Sequence, residues 1–122
     1  MSLKFVFDEH LRGPEWQAVL RHNASSEFSI DVVRVGDSPD LPLGIEDPDL
    51  LVWTEEADRI LVTRDKTTVP RHLAAHLASG RECPGIFMIR PHARFARVLE
   101  MLVLAAWVSE PHDWRSRIEF VG

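Results

Sequence analysis

Short apolar runs of strand length alternate with stretches of helical period along this chain. That alternation restricts it to an α/β fold with a mainly parallel sheet, because parallel strands need a crossover between them and a helix is the usual crossover. Lys4–Phe7 reads as the first strand. Pro14 suits the first turn of a helix whose apolar stripe is Trp16, Val19 and Leu20. The β-branched run Ile30–Val35 reads as the second strand, and Gly36 to Pro48 as a loop. Asp47-Pro48 reads as an N-cap followed by proline, with Leu50, Leu51, Trp53 and Ala57 on the buried side. Ile60–Thr63 is the third strand. Thr68-Val69-Pro70 opens a helix that Gly80 ends, and Pro84-Gly85 turns into a fourth strand, Ile86–Ile89. A long helix runs from His92 to about Val108, and Arg117–Val121 reads as a short edge strand.

The length of 122 residues fits one domain, 1–122, with a real core. The one cysteine, Cys83, excludes an internal disulfide and fits a reducing cytoplasm. No leader pattern is visible at the N-terminus, and Met101 to Val108 is far shorter than the roughly 20 apolar residues of a membrane span. A net charge of −5 argues against a broad basic nucleic-acid face, but not against binding through a metal or a local arginine cluster.

The first strand runs straight into two carboxylates, Asp8 and Glu9. A charge at a core boundary is costly unless it is paired, solvated or metal-bound. Asp8 stands at the carboxyl end of the first strand, Asp65 just after the third, and Asp47 at the start of a helix. In an open parallel sheet these positions share one rim, where ligands bind. Three acids distant in sequence can therefore converge, and clustered carboxylates without cysteine suit hard cations such as Mg²⁺ or Mn²⁺. Each acid also has a plain structural reading. Asp47 can be an N-cap, Asp65 a turn or cap residue, Glu9 a solvated side chain, and Asp49 a partner for the helix dipole.

The ordered set FDEHL, an Asp shortly before LL.W, ILVTRD and PGIFMIR resembles the PIN-like domain family, in particular its small proteins related to toxin ribonucleases of toxin–antitoxin pairs. The resemblance spans Leu3 to about Val121. It implies a Rossmann-like three-layer α/β/α sandwich and a Mg²⁺- or Mn²⁺-dependent endoribonuclease. Asp8, Asp47 and Asp65 would be metal ligands, with one of them or Glu9 orienting the attacking water. It further implies an RNA substrate and an antitoxin protein as partner. Many relatives carry a second Asp and a Phe soon after TRD; Thr67 and Thr68 stand there in this chain, as in a sub-branch with Thr-X-Pro. The acid that fuller PIN domains carry in an early helix has no good match, Glu15 and Glu27 being the only candidates. The missing second acid after TRD and the net charge of −5 support an alternative, a catalytically inactive module for partner or nucleic-acid binding. A receiver-like domain is disfavoured, since Arg90-Pro91 stands where that class wants a lysine.

Among the basic residues, Arg12, Arg64, Lys66 and Arg71 are candidates for phosphate contact, with plain solvation or pairing to acids as the other reading. Thr68 is expected to cap its helix. His72 and His76 share a helix face but lack a third zinc ligand, so both are expected on the surface, and His10 is expected solvated or neutral and buried. The last long helix, apolar all round from Met101 to Val108, is expected in the core or in a homodimer interface, with Trp107 and Trp114 as anchors.

Overall fold

The computed structural model describes residues 2–122. Its five strands form one all-parallel sheet in the order β2-β1-β3-β4-β5. The strands are β1 (Lys4–Phe7), β2 (Asp31–Arg34), β3 (Ile60–Thr63), β4 (Ile86–Ile89) and β5 (Ile118–Val121). The helices between them are α1 (Pro14–Ser25), α2 (Asp47–Ala57), α3 (Val69–Ala78) and α4 (Phe95–Val108). A 3-10 turn, Glu9–Leu11, follows β1.

Side chains alternate across the sheet with a period of two, and both faces are covered. Phe5, Phe7, Ile60, Val62, Phe87 and Ile89 point toward α1 and α4, where Val19, Val98, Leu102 and Ala106 meet them. Val6, Leu61, Ile86 and Met88 point the other way, against Leu50 and Leu51 of α2 and Val69 and Leu73 of α3. The result is a three-layer Rossmann-like α/β/α sandwich: the parallel sheet is the one the alternation of segments implied, and the three layers are those the resemblance implied. The near-continuous apolar strands β3 and β4 follow from burial on both faces.

Several local expectations shift. Asp47 is the first residue of α2, and Glu46 holds the N-cap position without a side-chain cap bond. Thr54, fully buried, takes the interior place expected for Ala57, its hydroxyl donating to the Leu51 carbonyl at 2.8 Å. Leu20 is exposed, because α1 turns only Val19 fully inward. Helix α4 starts at Phe95, three residues later than expected, and is not buried all round. Val98, Leu102 and Ala106 face the core, while Leu104 is 61% exposed, Trp107 51% and Val108 72%. A helix lying on one face of a sheet has only one side to bury, whatever its composition. Trp114 packs inward, edge-on to Phe87 at 5.0 Å, and its indole N–H donates to Ser109 Oγ at 2.8 Å, so it is not an interface anchor. Among the described residues no helix is long and apolar enough to cross a membrane.

Gly85 leads into β4 at φ 132°, and a Cβ there would lie 2.7 Å from the Trp114 carbonyl oxygen. Both conditions demand glycine. Gly85→Ala is expected to destabilise the fold by about 1–3 kcal/mol, read as a lower urea midpoint. An unchanged midpoint would contradict this.

Candidate functional site

The carboxyl ends of β1 and β3 are fixed by the ladder. The Asp8 amide donates to the Val62 carbonyl at 3.2 Å, and the Val35 amide to the Phe7 carbonyl at 2.9 Å. Asp8 therefore leaves β1 on the sheet rim, beside the exit of β3 that carries Asp65. The loop after β2 returns through Ile45 to start α2 at Asp47 above the same rim. The three acids line one cleft of about 70 Å³ together with Glu9, His10 and Thr63. Its floor is apolar, including Val35, Leu50, Leu61 and Val69.

Two threonines link the acids. The Thr63 hydroxyl donates to Asp8 Oδ2 and accepts the Asp65 amide at 3.1 Å. The Thr68 hydroxyl is within hydrogen-bond reach of both Asp65 Oδ2 and, at 3.1 Å, Asp47 Oδ2. A hydroxyl has one proton to give, so only one of those carboxylates is served at a time. Asp65 Oδ1 also accepts the Thr67 and Thr68 amides, at 3.0 and 2.9 Å. Asp65 is thus a turn residue and a cleft residue at once, and Thr68 links carboxylates instead of capping α3 with its side chain. The linking roles of Thr63 and Thr68 were not visible in the sequence. A hydroxyl leaves no mark in charge or hydropathy patterns, and a Thr at a strand end reads as ordinary strand composition.

The two rim acids differ electrostatically. Burial pushes the Asp8 carboxyl above its ordinary value, and the Thr63 hydroxyl and His10 amide offset this only in part. The Thr68 hydroxyl, then its amide, hold Asp65 below its ordinary value. His10 is exposed on the cleft, its amide donating to Asp8 Oδ1 at 2.9 Å. Glu9 reaches the same cleft, but its Oε1 accepts the Gly44 amide at 2.9 Å and so ties the loop after β2 to the rim.

The basic candidates divide. Arg12 is occupied by the Val35 carbonyl at 2.6 Å and Asp37 at 3.4 Å, so it holds the end of β2. Arg64 pairs with Glu15 at 3.1 Å. Lys66 and Arg71 are exposed, and neither is in an ion pair among the described residues. The two histidines of α3 also part. His72 lies 3.9 Å from Asp47 Oδ2. His76 is buried, against expectation, with Nε2 at 2.7 Å from the Glu82 carbonyl and 3.2 Å from Glu55. It braces α3 against α2 and the approach to β4. Cys83 is buried and free, and burial raises its thiol pKa.

Every acidic donor on the cleft is an oxygen, the kind of ligand that hard cations take. Among the described residues no group of three or more His, Cys, Asp or Glu is placed to hold a metal ion. The carboxylates are spaced by threonine hydroxyls. Comparison with protein-family models, curated proteins and solved structures finds no match to this chain.

Proposed function

We propose that this chain is a PIN-like endoribonuclease dependent on Mg²⁺ or Mn²⁺, acting as the toxin of a toxin–antitoxin pair in the cytoplasm. The observation that supports it most is the cleft itself, where Asp8, Asp47 and Asp65, from three separate segments, meet over an apolar floor. In this reading Asp8, Asp47 and Asp65 hold the ion. When bound, the ion supplies Lewis-acid chemistry, lowering the pKa of a water and neutralising the leaving oxygen of a phosphodiester. Thr63 and Thr68 keep the carboxylates turned into the cleft. Glu9 fixes the loop that walls it, and exposed His10 stands where a proton can be passed to the leaving group. Lys66 and Arg71 are free to meet phosphates.

A second reading has its own support. Three hydrogen bonds of its own turn occupy Asp65, and the acid that many PIN-like proteins carry after TRD is Thr67 or Thr68 in this chain. On that reading the chain is an inactive binding module. Titration with Mn²⁺ in a calorimeter separates the two, alongside cleavage of single-stranded RNA with and without EDTA. The nuclease reading expects saturable heat, a raised melting temperature and EDTA-sensitive cleavage. No heat, no melting shift and no cleavage would leave the binding module.

We propose further that a second copy of the chain covers the outer side of α4. Leu104, Trp107 and Val108 stand exposed there, with Met101 beside them and Phe28 edge-on to Trp107 at 5.3 Å. Contiguous apolar surface of this kind on a small domain marks an interface. Sedimentation at micromolar concentration is expected to give a dimer for the wild type and a monomer for Leu104→Glu. A monomeric wild type would refute it.

A further inference from the structure

Seven of the twelve arginines are paired with carboxylates. Three of the other five, Arg90, Arg94 and Arg97, crowd into the connection from β4 to α4 and the first turn of that helix. No acid stands between Glu82 and Glu100, and Glu100, one helical turn beyond Arg97, is the nearest in sequence. All three are exposed, and none is in an ion pair among the described residues. The acid at the start of the neighbouring helix α1, Glu15, is already taken by Arg64. In a chain with a net charge of −5, an unpaired positive strip is a conspicuous departure.

Its position relates it to the cleft. β4 runs parallel to β3, so Arg90 leaves the sheet on the rim that carries Asp65. The Phe95 ring meets Phe7, the residue before Asp8, edge-on at 6.0 Å. The first turn of α4 is thereby pinned beside the end of β1, on the face opposite α2 and α3. Cleft and strip thus flank the same two strand ends. Arg90 also lies over the Phe120 ring, 5.5 Å from its centroid, and that ring is 45% exposed. The exposed Phe120 ring beside the Arg90 guanidinium offers a stacking surface for an unpaired base, and the unpaired guanidinium groups of the strip offer forks that match phosphate. An acidic peptide would use only the second of these.

We propose that Arg90, Arg94 and Arg97 bind the phosphate backbone of a single-stranded RNA and lead it across the ends of β1 and β3 to the carboxylate cleft. The destination of the strand rests on the nuclease reading; the binding by the strip does not. The probe is a short fluorescein-labelled single-stranded RNA of mixed sequence, held in EDTA and followed by anisotropy over a range of salt. Each lost phosphate contact removes about 0.7 from the log–log salt slope for single strands. The double variant Arg94→Gln with Arg97→Gln is expected to lower the slope by about 1.4 and to weaken low-salt binding about tenfold. Arg94→Lys with Arg97→Lys keeps the charge and is expected to keep the slope. Arg115→Gln, near the opposite end of the strands and paired with Glu82, is expected to change neither. The proposal is overturned if the glutamine double variant, its melting temperature intact, binds with wild-type affinity and slope. It is overturned as well if the wild type does not bind the RNA, or if an acidic peptide binds the strip at least as tightly. RNA that is bound through these arginines but never cut with Mn²⁺ present would support the strip and refute the nuclease reading alone.

Discussion

Asp8→Asn is expected to lower the proposed Mn²⁺-dependent RNA cleavage by roughly a hundredfold or more, while the protein is expected to melt at or slightly above the wild-type temperature. The first half follows from the proposed role of Asp8 as a ligand, since even partners outside the ligand shell cost about 10–100-fold when removed. The second half follows from the burial of its charge. The folded-state pKa of Asp8 is raised above its ordinary 3.8, so the folded protein holds this proton more tightly than the unfolded chain does. The associated stability is fully present below the ordinary pKa and is lost as pH rises through the raised one. At neutral pH the ionised group is therefore a liability to the fold, and an amide of the same shape removes it. The oxygen of the substituted side chain can still accept the His10 amide, and its NH₂ can turn to the Thr63 hydroxyl. Single-turnover cleavage and a thermal melt at neutral pH check the two halves. Wild-type cleavage, with contaminating nuclease excluded, would end the assignment of Asp8. A large drop in melting temperature would show that burial is not the governing effect.

Asp65→Asn is expected to abolish cleavage too, with the opposite stability sign. The folded pKa of Asp65 is depressed, so its contribution is present above 3.8 and is lost as pH falls through the folded value. Its carboxylate holds the turn before α3, so some stability goes with the charge. The contrast between the two variants tests the electrostatics of the cleft independently of catalysis.

The largest effect on stability is expected from Phe7→Ala. Phe7 is fully buried, and its ring meets Trp16 at 6.3 Å and Phe95 at 6.0 Å, both edge-on. Truncating a buried Phe costs about 3–5 kcal/mol from lost burial and the cavity left behind. A domain of this size has roughly 5–15 kcal/mol in total. A melting temperature lower by roughly 10–20 °C is expected. Phe7 also fixes the exit of β1, so residual folded protein should bind Mn²⁺ more weakly. A melting temperature within a few degrees of wild type would mean that Trp16 and Phe95 close over the gap.

The strands were readable because each of the central three is buried on both faces and so appears as an unbroken apolar run. The rim acids were readable because nothing local calls for a carboxylate after Phe5-Val6-Phe7. What the sequence concealed depends on contacts between segments. Arg12 looked like a free cation but answers the Val35 carbonyl, and His76 looked like a surface residue but is enclosed by Glu55 and Glu82. Composition made α4 look buried all round, yet a helix lying on a sheet has an outer side, and periodicity cannot say what covers it. Thr68 looked like a cap, and only the return of α2 to the rim brings Asp47 to its hydroxyl.

The pairing of β1 with β3, rather than only with β2, has a consequence for synthesis and assembly. No hairpin can start this sheet, because every neighbouring pair is parallel and separated by a crossover. β1 is made first but waits more than fifty residues for β3, its partner in the middle of the sheet. Closing so long a loop before the contact repays it makes nucleation slow. Until Asp65 has left the ribosome the carboxylates have nothing to gather on, so a nascent or truncated chain ending before β3 is without its cleft.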